Sequence, residues 1–251
     1  TKATKFRKER CLLIVPNVLV SISGLPKSGK NYLAYTFPEP IKVYCFNGGA
    51  EFVAKKFFPN KQIDIHNFSL PIIESTEMAW ASPVWREFYQ EYKKDAFSGL
   101  YQTLVLDTAT EVENVCQQAV LETLQEAAEE KNRTKEKLGT TEFLYRNLQM
   151  KALFDLPRNN GLNLAALNYL KERWVKNTGE KTAQNTGELI LDGWQKTETQ
   201  ADVNVEMATK MKANRTVMVA TIKSNRVDRD MNGRGCDDTT YDELIVLLLG
   251  E

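Results

Sequence analysis

One stretch constrains this chain more than any other. The apolar run Val18-Leu19-Val20-Ser21-Ile22 leads into Gly24-Leu25-Pro26-Lys27-Ser28-Gly29-Lys30-Asn31. It reads as strand, glycine-rich loop and helix start, with Tyr32-Leu33-Ala34-Tyr35 continuing the helix. The loop fits the phosphate-binding pattern G-x-x-x-x-G-K-[ST] everywhere except its last position, where Asn31 replaces a hydroxyl residue. Gly24 allows the chain to leave the strand where a Cβ would obstruct it. Gly29 allows the backbone to approach an anion. The loop N–H groups and the following helix turn then point at phosphate, and Lys30 adds a full positive charge for the β- and γ-phosphate oxygens. Residues Gly24, Leu25, Pro26, Lys27, Ser28, Gly29, Lys30 and Asn31 therefore form the candidate nucleotide cradle. Asn31 offers a metal only an amide oxygen, on a longer arm than serine or threonine. Magnesium demands short bonds in near-octahedral geometry, so the exchange is not conservative.

A second motif supports the first. Thr103-Leu104-Val105-Leu106-Asp107-Thr108 is an apolar run that delivers a carboxylate to its C-terminal end, as a buried parallel strand does. Ligands of open α/β sheets bind at such strand ends. Asp107 is thus the candidate metal partner of Asn31, facing the loop from the opposite side. Thr108, with Glu111 three residues on, also reads as a helix N-cap.

Composition excludes several alternatives. The 33 basic and 33 acidic residues cancel, so any nucleic-acid contact has to come from a local patch. No apolar run is long enough for a membrane span. The basic start Thr1–Arg10 lacks the form of a signal peptide, and a cytoplasmic location is expected, in the host cell if the chain is viral. Cys11, Cys45, Cys116 and Cys236 make no metal signature. His66 is the only histidine, which argues against histidine-based catalysis or zinc.

Along the chain, apolar runs alternate with helical patterns. Strands are expected at Ile41–Phe46, Ile63–Ile65, Leu162–Leu167 and Thr216–Ile222. Helices are expected at Ala50–Phe57, Val84–Lys94, Glu111–Glu130 and Glu142–Leu156, with a terminal helix or strand at Asp242–Leu249. The alternation predicts an α/β fold, a mainly parallel sheet with helices on both faces, in one domain spanning 1–251. Residues 171–194 carry turn signals at Asn177-Thr178-Gly179, Asn185-Thr186-Gly187 and Asp192-Gly193. They read as a protruding, hairpin-like arm. There Lys171, Arg173, Lys176 and Lys181 surround Trp174, a pattern compatible with single-stranded nucleic acid or with a solvated loop.

The order of these motifs resembles the phage RecA-like AAA-type P-loop ATPases. Tyr35 to Pro40, Asn47 to Gly49 and Leu162 to Asn168 extend the likeness to about Val18–Arg226. The resemblance implies a RecA-like core, ATP and Mg2+, homo-oligomerisation, and action on single-stranded DNA beside a single-strand-binding or annealing protein in phage recombination or replication. It implies a γ-phosphate-sensing role for Asn168 at the end of the fourth strand. The chain departs from the family pattern at Asn31 and at Asn47, where a water-activating acid is common; an amide cannot act as a general base. Glu51 and Glu111 are candidate substitutes. Lys223 and Arg226 follow the Thr216–Ile222 strand, where a cation can reach the γ-phosphate of its own subunit or a neighbour's. Lys30, Asp107, Glu111, Asn168 and Arg226 are thus the candidate catalytic residues. Two alternatives stand beside this reading: a degenerate, non-hydrolysing structural or regulatory subunit, and a small-molecule kinase, for which no arginine-rich lid is evident.

Overall fold

A computed structural model describes residues 17–70, 80–175 and 182–249. The basic start Thr1–Arg10, Cys11, and the arm residues Lys176, Asn177-Thr178-Gly179 and Lys181 lie outside the described residues. In chain order the elements begin with β1 (Leu19–Gly24), α1 (Lys30–Tyr35), β2 (Ile41–Cys45), α2 (Ala50–Phe57), β3 (Ile63–Asn67) and α3 (Ala81–Ser98). Then follow β4 (Thr103–Asp107), α4 (Ala109–Glu129), α5 (Phe143–Asn159), β5 (Asn163–Val175) and β6 (Gln184–Asp192). The chain continues with α6 (Thr197–Gln200), β7 (Val203–Lys212), β8 (Arg215–Asn225), a 3-10 turn (Arg229–Met231), β9 (Gly235–Asp237) and α7 (Tyr241–Leu249).

The strands form one sheet in the order β3-β2-β4-β5-β1-β7-β8-β9, with β6 paired to β5. The six strands from β3 to β7 run parallel, as the β-α alternation requires. β5 lies between the glycine-loop strand β1 and the Asp107 strand β4. The central strands are apolar on both sides because both faces are covered. On one face α1, α2 and α7 pack through Leu33, Ala50, Leu244 and Leu248 onto Val20, Ile22, Val43, Val105 and Leu167. On the other, α3, α4 and α5 pack through Phe88, Val112, Val115 and Phe154 onto Leu19, Tyr44, Leu106 and Ala166. Among the described residues no helix is long and apolar enough to cross a membrane.

The mainly parallel sheet is as expected, and the strands beyond its core differ from the sequence expectation in detail. The Thr216–Ile222 strand is part of β8, which runs antiparallel to β7 rather than parallel to the core. Its partner β7, the strand that actually flanks β1, has no counterpart in the sequence reading. Yet Val203, Val205 and Met207 alternate with Asn204 and Glu206, which is a period-two signal. The Leu162–Leu167 strand also runs on to Val175, where it pairs antiparallel with β6. The Asn185-Thr186-Gly187 turn signal falls inside β6. Gly187, at φ 72°, lies opposite a register shift between Glu172 and Trp174, so its turn chemistry serves a bulge.

α3 begins without a side-chain cap of its own. Buried Glu122 of α4 supplies one from outside, accepting the N–H groups of Trp80, Ala81 and Ser82 at 2.8–3.1 Å. Burial pushes this carboxyl up, but the Ala81 and Ser82 amides outweigh it and hold the group below its ordinary value. Glu122→Ala orphans these donors, so a loss of about 3 kcal/mol is expected, a fall in Tm of roughly 6–12 °C. The deficit shrinks in acid, as falling pH protonates Glu122 in the parent. Thermal unfolding at pH 7 and in acid checks both points.

Candidate functional site

The site lies at the C-terminal edge of the parallel strands, where β1 ends in Gly24 and β4 in Asp107. Pairing fixes their levels: Cys45 faces Asp107, Asp107 faces Leu167, Ser23 faces Asn168 and Gly24 faces Met207. The glycine positions are dictated by close packing. A Cβ on Gly24 would come within 2.6 Å of the Met207 carbonyl oxygen and strike Ser28 Oγ. Gly29, at φ 97°, has the Met218 side chain against it, with Cγ 2.8 Å from where a Cβ would sit. The loop therefore lies flat on the β7–β8 ribbon. The α1 helix has only six residues, so the loop amides rather than a helix dipole are the main anion-holding feature.

Lys30 is buried. Its ammonium donates to the carbonyl oxygens of Gly24 at 2.8 Å and Leu25 at 3.0 Å, and it stands 4.8 Å above the centre of the Tyr169 ring. Burial lowers its pKa to about 8, against the attraction of Asp107. Asp107 is 1 % exposed. Burial raises its pKa to about 6, countered by the Asn31 amide and by Lys30. Asn31 Nδ2 donates to Asp107 Oδ2 at 2.6 Å. The site thus holds two ionisable groups that burial drives towards neutrality, and a bound polyanion with its cation would compensate both charges.

The residues present fit a divalent cation. With Asn31 Nδ2 given to Asp107, the other end of the amide, Oδ1, would be the atom to offer a cation, as a hydroxyl oxygen would while donating its proton to the same carboxylate. Among the described residues no group of three or more metal-binding side chains exists. A cation here would draw its remaining ligands from phosphate and water, as Mg2+ commonly does.

The other candidates separate. Glu111 is on the first turn of α4; its N–H donates to Thr108 Oγ1 at 3.3 Å, and its carboxylate accepts from Asn114. Glu51 accepts a hydrogen bond from Asn67, which holds its carboxyl below its usual range. Asn168 is fully buried on the α4 side of the sheet, donating to Ser21 Oγ and to the Ala166 carbonyl, beneath Gly193. This corrects the expectation that it senses the γ-phosphate: strand alternation turns its side chain away from the loop. For Arg226 the own-subunit half of the expectation is corrected. Because β8 is antiparallel, Asn225 pairs with Val203 at the start of β7, so Arg226 emerges at the opposite end of the sheet. There it pairs with Asp202 at 3.0 Å and cannot reach its own subunit's loop. Lys223 pairs with Glu206.

Tyr169 is the residue the sequence reading missed. One position past Asn168, it returns to the loop side, with its hydroxyl accepting from Asn47 Nδ2 at 2.8 Å. The alternation of β5 is the signal that places it there. Beside the loop lies a cavity of about 430 Å³ lined by Lys27, Asn31, Tyr32, Phe57, Thr216 and Met218, among others. On the arm, Lys171 pairs with Asp192 and Arg173 with Glu188, both at 2.8 Å, while Trp174 stays 59 % exposed.

A glycine loop wrapped on β1, a lysine at its end and a buried aspartate on β4, with β5 between the two strands, define a P-loop nucleotide-binding core. Residues 17–229 match the family described as AAA domain, and the chain belongs to that family. Among solved structures, a KaiC-like protein, PH0186, from the hyperthermophilic archaeon Pyrococcus horikoshii is similar, at 14 % identity, 88 % coverage of this chain, 85 % of the other and a TM-score of 0.45. Among curated proteins none matches.

Proposed function

We propose that this chain is an Mg2+-dependent ATPase that acts on single-stranded DNA in phage recombination or replication. The Asn31–Asp107 contact near Lys30 carries the nucleotide part of the reading, because it ties a side-chain amide of the loop to a buried carboxylate that the Lys30 ammonium senses. The loop backbone cradles the phosphates and Lys30 binds their oxygens. Asp107 and the Asn31 amide oxygen hold the cation. When bound, Mg2+ neutralises charge that builds on the transferred phosphoryl group. The adjoining cavity suits the base, with Tyr32, Phe57 and Met218 as apolar walls and Thr216 as a hydrogen-bonding group. Exposed Leu25, Phe52 and Phe57 lie on the loop and on neighbouring α2, and they favour a homo-oligomer in which a second copy covers this rim. Trp174 on the arm supports contact with unstacked bases.

A second reading rests on Asn47. It stands where a water-activating acid would be and is occupied by Tyr169, as in a regulatory module that binds nucleotide without turning it over. Calorimetry with ATP and ADP, with and without Mg2+, followed by turnover with and without single-stranded DNA, separates the two. Magnesium-dependent ATP binding with DNA-stimulated turnover is the expected result. Tight binding without turnover, with turnover appearing in the doubly substituted Asn31→Thr, Asn47→Glu chain, favours the regulatory module. Absence of binding overturns both.

A further inference from the structure

Tyr169 occupies an unusual junction. Its ring takes the face of the Lys30 ammonium that the Gly24 and Leu25 carbonyls leave open. Its hydroxyl is tied to Asn47 at the end of β2. Its backbone N–H donates to Thr110 Oγ1 at 3.0 Å, and that hydroxyl donates to the Asp192 carbonyl at 2.5 Å. Tyr169 and Asp192 are also partners in the first rung of the β5–β6 ladder. One residue therefore touches the P-loop lysine, the strand next to the Asp107 strand, the first turn of α4 and the root of the arm.

We propose that Tyr169 is a positioning residue that latches Lys30 away from phosphate, and that nucleotide binding releases the latch and shifts the β5–β6 arm. The inference rests on the nucleotide reading above. An ammonium has three donors. Here two serve neutral carbonyls and the remaining side faces a π-system, all weaker partners than an ionised phosphate oxygen. A triphosphate in the loop draws Lys30 towards its oxygens and off the ring. The Tyr169 side chain then keeps only its Asn47 contact, while its backbone still joins Thr110 and the first rung of the β5–β6 ladder, so a shift of the freed ring is passed to that rung. Coupling of this kind is reciprocal: whatever stabilises the released arm tightens nucleotide binding by the same factor.

The test titrates the full chain with ATP at fixed Mg2+ and follows affinity and tryptophan emission together. Trp174 is the exposed reporter on the arm, and Trp174→Phe assigns its share of the signal. Tyr169→Leu, which removes the ring, is expected to bind ATP roughly 3- to 30-fold more tightly, the range carried by one cation–π contact, and to lose the ATP-induced change at Trp174. Tyr169→Phe keeps the ring and drops the Asn47 bond, so an intermediate affinity is expected. If Tyr169→Leu does not fold, Tyr169→Phe and Asn47→Ala carry the test, each expected to tighten binding. ATP binding in the parent with unchanged or weaker binding in these variants overturns the latch alone. A Trp174 response that persists in Tyr169→Leu overturns the coupling. No ATP binding in the parent or any variant overturns the nucleotide reading and the latch together.

Discussion

Lys30→Met is expected to weaken ATP binding by about 100-fold or more and, at neutral pH, to stabilise the ligand-free chain. The loss of affinity follows from removing a buried ammonium whose charge-assisted bonds to phosphate are worth about 3 kcal/mol together. The gain in stability follows from burial, which lowers the Lys30 pKa to about 8 despite the attraction of Asp107. Folded, the lysine holds its proton less tightly than unfolded. The gap from an ordinary lysine corresponds to about 3 kcal/mol, present in full below pH 8 and vanishing as pH rises towards the unfolded value. Losing the bonds to Gly24 and Leu25 gives back about 1–2 kcal/mol. A net gain of about 1–2 kcal/mol at pH 7 is expected, which disappears near pH 10. Calorimetric titration and thermal unfolding at the two pH values check the two halves separately. A variant that binds ATP normally removes Lys30 from the site.

Much of this site was legible because its chemistry is local. Gly24, Gly29 and Lys30 fall within a single turn of chain, and Asp107 ends an apolar run whose burial is evident from its residues. The parallel core was legible for the same reason: Ile41–Cys45 and Thr103–Asp107 are too apolar for a half-exposed strand and are separated by helical patterns. Strand direction beyond the core was not. Thr216–Ile222 has the composition of a parallel core strand, and only its pairing with β7 shows that it runs the other way. Arg226 moved to the far end of the sheet for that reason alone. The β7–β8 hairpin turns at Ala213-Asn214, both at positive φ, without the glycine that usually marks such a turn.

The misplacement of Asn168 has a different origin. A polar residue at a strand end looks like a site residue, but the face it takes depends on alternation counted along β5. Leu167 lies on the α1 side with Val105, so Asn168 must turn to the α4 side and Tyr169 back again. That count was available in the sequence. What it could not supply is the contact of Tyr169 with Lys30 and Asn47, because those residues come from β5, the P-loop and the end of β2, and only the sheet order brings them together.

Asp107→Asn is expected to remove the Mg2+ dependence of nucleotide binding and, like Lys30→Met, to raise the stability of the ligand-free chain. Burial lifts the Asp107 pKa to about 6, against the Asn31 amide and Lys30. A carboxyl raised in the folded state costs stability above that value and nothing below its unfolded value. At pH 7 the cost is about 3 kcal/mol, so a gain of about 1–3 kcal/mol is expected for the amide, which still accepts from Asn31 Nδ2. The parent should close this gap by itself as pH falls from 7 towards 4. Over the same interval protons compete with the cation for the carboxylate, so the Mg2+-dependent part of ATP binding should fade in the parent through pH 6. The Asp107→Asn chain should show no such fade. Because Lys30 and Asp107 attract each other, each single substitution strips the other group of a partner. The double variant is therefore expected to gain more than the sum of the singles, by the size of their coupling. Strict additivity across that cycle, measured by denaturant unfolding at pH 7, would show that the two charges do not sense each other and that they do not form one site.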